Sequence, residues 1–249
     1  MPPVWWGRPF AEMRWQAEFV RLLADPIYLG GGRPRGDGRP VVLVPGFAGG
    51  DWTLSHLSFW LRRTGYRPVT CHMLFNAGCA ERALARVEQR VAGLAAAEGR
   101  RVAVVGHSRG GHLARAVAAR RPELVSHVVA LGSGLTSQFE AAAPALAAVA
   151  LARAVESRAG RRGCMTEDCG CTFTAGYRAP FPEDVRLTSI YSKGDGMVRW
   201  SSCVVPYADN VEITGSHVGL AWNRKAYTAI AAALHQPELA CRVVAPAAR

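Results

Sequence analysis

Lysine is nearly missing from this sequence of 249 residues: Lys193 and Lys225 are the only two, and arginine supplies the rest of a formal net charge of +11. The arginines are spread through an alanine-rich chain, with short clusters at Arg100-Arg101, Arg120-Arg121 and residues 158–162. Those clusters fall at expected helix ends and loops, where cations offset the helix dipole. No basic–aromatic array or binding motif accompanies them, so a nucleic-acid partner is not expected. Also lacking is any uncharged apolar window of about eighteen residues, which argues against a transmembrane helix. The first residues mix aromatics with Glu12, Arg14, Glu18 and Arg21. They have neither the unbroken apolar run nor the small-residue cleavage site of a secretory leader, and the expected location is cytoplasmic.

The seven cysteines lack metal spacing. CMTEDCGC, residues 164–171, contains no CxxC pair and has no neighbouring histidine, so a zinc site is disfavoured. A disulfide tying this loop to Cys203 or Cys79 is the preferred reading, with free thiols the alternative for a cytosolic protein.

What is present is an alternation. Apolar runs at 41–44, 67–74, 101–105, 125–133, 185–192 and 210–215 read as strands. Helical periodicity intervenes at 52–65, 81–99, 112–121 and 224–235. Continuous apolar strands separated by helices indicate a parallel sheet covered on both faces. The expectation is one α/β domain over 1–249, with a helix over 10–24 and a glycine-rich loop to residue 39 ahead of about six strands. Residues 134–184 interrupt the alternation. A structureless loop of that length is uncommon in a compact domain, so part of it is expected to be helical and to form a lid or cap.

The third run ends in VAVVGHSRGG, where Gly106-His107-Ser108-Arg109-Gly110 fits G-x-S-x-G between a strand and a helix. A serine there sits in a strained turn that lifts its hydroxyl clear of the sheet, and the flanking glycines remove side chains that would collide. The rivals fit less well. A phosphate loop needs a lysine after its last glycine, a dinucleotide loop needs an earlier second glycine, and a plain helix cap leaves the glycines unexplained.

A nucleophilic hydroxyl needs a base, and the base needs an orienting acid, in the chain order Ser, Asp or Glu, His. YSKGDGMV places Asp195 in a glycine-flanked turn at the end of the fifth strand, and ITGSHVGL places His217 just beyond the sixth. Both lie at the sheet edge where open parallel sheets gather their functional groups. Asp168 is the substitute acid, while His107, His112, His127 and His235 are set aside as bases. Backbone amides of Arg109 and Phe47, with Ala48 next, are the expected oxyanion donors.

VVLVPGF, GHSRGG, YSKGDG and GSHVGL, in this order, resemble the serine α/β-hydrolase superfamily, in particular bacterial lipases and esterases of modest size. The resemblance spans about residues 40–235 and implies ester hydrolysis through an acyl-enzyme, without metal or organic cofactor. Many members carry His-Gly after the first strand, where this chain has Pro45-Gly46. Esterase, lipase, thioesterase, amidase and perhydrolase chemistry share such a site, and fold alone does not choose among them. The apolar helix of the insertion, with Leu135, Phe139, Phe173, Phe181 and Trp200, suggests an apolar acyl pocket for a small-molecule ester or lipid, with core packing the plainer alternative for these side chains. The basic surface keeps a thioesterase with an acidic acyl-carrier partner as the alternative. A non-catalytic binding protein on the same scaffold is the reading from a different class.

Overall fold

The computed structural model describes residues 5–31, 35–158, 166 and 169–240. Cys164, Asp168 and Cys241 therefore lie outside the described residues.

Six parallel strands run in the order β2-β1-β3-β4-β5-β6. They are β1 (Pro40–Val44), β2 (Arg67–Thr70), β3 (Val102–His107), β4 (Val125–Leu131), β5 (Arg186–Tyr191) and β6 (Asp209–Glu212). The helices are α1 (Trp15–Leu23), α2 (Ser55–Arg63), α3 (Ala80–Glu98), α4 (Arg109–Arg120), α5 (Ala143–Arg158), α6 (Thr172–Arg178), α7 (Trp200–Cys203) and α8 (Arg224–His235). The expected doubly covered parallel sheet is thus found, with the second strand cut short at Thr70. Residues 134–184 hold α5 and α6.

Period-two alternation sorts the strand side chains into two cores. Val42, Val44 and Val104 face Leu84, Val87 and Val91 of α3 and Leu113 and Val117 of α4. Val41, Leu43 and Val105 face Leu57, Trp60 and Leu61 of α2, together with Tyr227 and Ile230 of α8. In α3 the buried positions Ala80, Ala83, Leu84, Val87, Val91 and Ala95 follow the three-and-four spacing of one helical face. The helix stops at Gly99, which takes φ 62°, a conformation that glycine adopts without strain. Asn223 starts α8 by accepting the Lys225 amide at 2.9 Å, and Pro122 follows the end of α4.

Strands β1 and β3 are neighbours, with Val44 opposite Gly106. The chain winds outward in one direction through β2 and in the other through β4, β5 and β6. Where winding reverses, the loops at the carboxyl ends of the two strands part and leave a crevice. The loop after β1 and the turn after β3 border it.

Cys203 is a buried thiol whose Sγ lies 3.9 Å from the Arg199 carbonyl. The expected disulfide to Cys203 is not formed. The segment around residue 203 is held instead by Ser189 Oγ donating to the Cys203 carbonyl (2.7 Å) and by Leu135 N donating to the Ser202 carbonyl (2.7 Å).

Candidate active site

Ser108 follows the last residue of β3 and precedes the first residue of α4, with φ 52° and ψ −121°. A positive φ at a residue with a side chain costs on the order of 1–3 kcal/mol and persists only where the surroundings enforce it. Here Ser108 N donates to the Leu131 carbonyl at 2.7 Å, and Gly111 N donates to the Ser108 carbonyl at 2.9 Å. The glycines allow the strand and helix to close around this turn. A Cβ on Gly106 would lie 2.3 Å from Gly110, and one on Gly110 would lie 2.1 Å from the Val44 carbonyl oxygen. Each added Cβ would meet backbone atoms, which cannot turn aside.

His217 leads a short 3-10 turn beyond β6 and is buried. Its Nδ1 is 2.7 Å from Asp195 Oδ2. Asp195 Oδ1 accepts the amides of Met197 (2.8 Å) and Val198 (2.7 Å), which fixes the carboxylate and leaves Oδ2 for the imidazole. Burial disfavours the imidazolium, but the Asp195 charge and hydrogen bond, with Glu12 adding to them, outweigh it. The net effect raises the His217 pKa above the ordinary histidine value. Gly132, at the end of β4, has φ 55° and leaves space behind the pair. A Cβ there would come within 3.1 Å of Asp195 Oδ2 and 3.2 Å of His217 Nδ1.

Ser108, His217, Phe47 and Arg109 line one cavity of about 350 Å³. Asp195 stands behind His217, buried. Among the described residues the Ser108 hydroxyl has no hydrogen-bond partner, His217 included. The cavity walls are largely apolar, with Leu146 and Val149 of α5, Phe139, Met197 and Trp222 facing it. A second, larger cavity of about 820 Å³ lies beyond Phe47 and Ala48, between α3 and α5.

The loop after β1 separates the expected oxyanion donors. Ala48 has φ 57°, and its amide donates to the Asn76 carbonyl at 3.1 Å, so it is already engaged. The Phe47 amide has no backbone partner among the described residues. Arg109 opens α4, where amides point out of the helix end. Its side chain is also engaged: the guanidinium donates to the carbonyls of Asn76 (3.2 Å) and Gly78 (2.7 Å) and covers the Phe47 ring at 6.0 Å. The backbone alone was expected to matter at Arg109, yet the side chain ties the loop before α3 to the loop after β1. Asn76 adds a bond from Nδ2 to the Pro45 carbonyl at 2.8 Å.

Three contributors escape a reading by motif. His107, set aside as a base, sets its Nε2 2.9 Å from the His217 carbonyl. A carbonyl only accepts, so Nε2 carries the proton. Burial, then the neighbouring His217, pushes the His107 pKa down to about 4, and the ring is neutral near pH 7. Gly46, placed for a tight turn, also makes room for this ring, because a Cβ would lie 3.1 Å from His107 Nδ1. The third contributor is Glu12, which accepts amides from both loops that carry Asp195 and His217. Its only signal in the sequence is a carboxylate within an amphipathic, aromatic segment.

Residues 39–153 match the family model described as alpha/beta hydrolase fold. No curated protein matches in sequence. Among solved structures, the mature lipase BlEst2 of Bacillus licheniformis superposes with a TM-score of 0.58 at 15% identity, over 82% of this chain and 94% of that one. A soluble variant of the monoglyceride lipase of Saccharomyces cerevisiae, in complex with a substrate analog, gives 0.56 at 12% identity, over 80% and 87%. Polyneuridine aldehyde esterase gives 0.53 at 18% identity, over 80% and 98%. At these identities the similarity is one of fold.

Proposed function

Given that this chain has the α/β-hydrolase fold, we propose that it is a serine hydrolase that cleaves carboxylic esters bearing an apolar group. The observation that carries the proposal is the strained Ser108 turn opening into the same cavity as His217, whose Nδ1 is held at 2.7 Å by Asp195. In this reading Ser108 Oγ attacks the ester carbonyl while His217 Nε2 takes its proton. Asp195 keeps Nδ1 protonated and balances the imidazolium. The developing oxyanion accepts the Phe47 and Arg109 amides, which are fixed before the reaction begins and need not reorganise. His217 then protonates the leaving alcohol, and water repeats the sequence on the acyl-enzyme. Leu146 and Val149 of α5 line the cavity, and in this reading α5 acts as a lid and gives the substrate apolar contact. Among the described residues no helix is long and apolar enough to cross a membrane.

The test is covalent labelling by a fluorophosphonate, run with esters and thioesters of graded acyl length. The wild type is expected to label, and Ser108→Ala to lose both labelling and at least about a thousandfold in kcat. Equal labelling of the two proteins would remove Ser108 from its role. Binding of esters without turnover would favour a non-catalytic scaffold.

A further inference from the structure

The loops that carry the candidate acid and base are joined by a carboxylate belonging to neither. The turn at Pro9–Arg14 crosses the carboxyl ends of β5 and β6 ahead of α1. Glu12 Oε1 accepts from Gly196 N at 2.9 Å and from His217 N at 2.9 Å, and Oε2 accepts from Val218 N at 2.8 Å. Gly196 directly follows Asp195, so one side chain binds the residue after the acid and the base itself. The same segment is fastened to the acid loop twice more. Arg8 N donates to the Gly196 carbonyl at 3.0 Å, and Arg14 Nη2 to the Gly194 carbonyl at 3.1 Å. A side chain at Gly196 would have no room, since a Cβ would lie 2.4 Å from the Arg8 carbonyl oxygen.

Further along, Glu18 makes a separate attachment. It is buried, and accepts the Ser216 amide at 2.9 Å and the Ser216 hydroxyl at 3.1 Å. Glu18 therefore anchors one loop, whereas Glu12 bridges two. Hydrogen bonds to an ionised acceptor are the strong ones, and three on one carboxylate fix its position on both loops.

We propose that Glu12 is a positioning residue of the active site, setting the approach of the Asp195 and His217 loops and holding a negative charge beside the base. This inference rests on the serine-hydrolase reading above. The groups facing His217 are Asp195 from the loop after β5, Glu12 from the N-terminal turn and His107 from the end of β3. His112 of α4 interacts with it more weakly, and the Arg109 guanidinium is turned toward Asn76 and Gly78. The charge on Glu12 favours protonated His217, so its removal lets His217 stay neutral, and able to act as a base, at lower pH.

The experiment compares Glu12→Gln, Glu12→Asp and Glu18→Gln with wild type. Ester hydrolysis is followed against pH, and His217 is titrated directly by the NMR signal of its Cε1 proton. Glu12→Gln is expected to lower kcat/KM at least about tenfold, mostly in kcat, because displacement of catalytic groups by about an ångström is costly. Its acid limb and the His217 titration should both move to lower pH. Glu12→Asp keeps the charge on a shorter stem, so it should lose kcat several-fold while its acid limb stays near that of wild type. It also decides the question if Glu12→Gln does not fold: a folded Glu12→Asp with wild-type kcat overturns the proposal. So does an unmoved His217 titration in Glu12→Gln, or an equal shift in Glu18→Gln. Absence of turnover in wild type counts against the hydrolase reading alone, since the NMR titration still reports on Glu12.

Discussion

The two helices that flank the cavity are built in opposite ways. Ten of the twelve residues of α4 are buried, including Arg109, His112 and Arg115, and none of the sixteen in α5 is. Helix α4 lies between the sheet, α3 and α6, whereas α5 lies over two cavities and exposes Leu151 and Val155. One side of the site is a platform packed on all sides, and the other is a helix that buries no residue, the cover of the reading above. The difference fits a division of work. On the serine-hydrolase reading, the nucleophile needs a strained backbone enforced from all sides, while recognition of an apolar substrate needs area that can be remade.

The largest effect should come from the platform. A Cβ on Gly110 would lie 2.1 Å from the Val44 carbonyl oxygen and 2.9 Å from that of Pro45. These are backbone atoms of β1 and its loop, and they cannot turn aside as a side chain could. Gly110→Ala is expected to cost at least about 3 kcal/mol and most of the activity, by overpacking and release of the Ser108 turn. Urea denaturation and fluorophosphonate labelling read the two effects. A variant that keeps both stability and labelling would show that the platform yields, and would erase the contrast with α5.

The cover should respond in the other direction. Val149 faces the cavity from α5 without being buried by protein. Val149→Ala should change stability by less than about 1 kcal/mol, because the side chain is only half-buried. It should nevertheless lower kcat/KM for long acyl esters by about tenfold, the lower end of what a methylene is worth in an apolar pocket. Short acetyl esters should be little affected. A fall in melting temperature with no change in chain-length preference would make α5 a structural helix.

The same contrast explains what could be read from the sequence. Strand β1 is buried throughout, so its run of Val41, Val42, Leu43 and Val44 announces a covered parallel strand. Asp195 and His217 stood out because each follows a strand in a glycine-rich turn, and strand ends are legible. Helix α5 has apolar residues around its whole circumference, mostly alanine, so its pattern does not say which face meets the cavities. Glu12 was illegible for another reason. Its amide partners lie about two hundred residues away, at separations of 184, 205 and 206, and no local spacing encodes such pairing. The contact of His107 is illegible for the same reason, since its partner lies 110 residues away. Its ring turns to the His217 carbonyl, which only the tertiary structure brings near.

The gentlest way to sharpen the comparison is acid. His107 at the end of β3 and His112 on α4 are buried and neutral, with pKa values pushed down to about 4 and about 3. Burial is the main cause in both, aided by the charge of His217 at the first and of Arg109 and Arg115 at the second. His127 in β4 is likewise held to about 3, by burial and then Arg39. In the unfolded chain each regains a value near 6.5. The stability these residues contribute is therefore complete above about pH 6.5 and is lost as pH falls toward their folded values. Near pH 5 the unfolded state should bind about three more protons than the native state through these groups. His217 has the opposite sign. Its contribution is complete below about pH 6.5 and is lost as pH rises through its raised folded pKa, so it does not offset the loss near pH 5. The melting temperature should fall steadily between about pH 6.5 and 4, and His112→Leu should make that fall shallower by about one proton. Hydrogen exchange locates the effect. Amides of α4 should lose protection on acidification, while those of α5, which buries no residue, should change least. Equal loss in both helices would mean that cover and platform open as one unit.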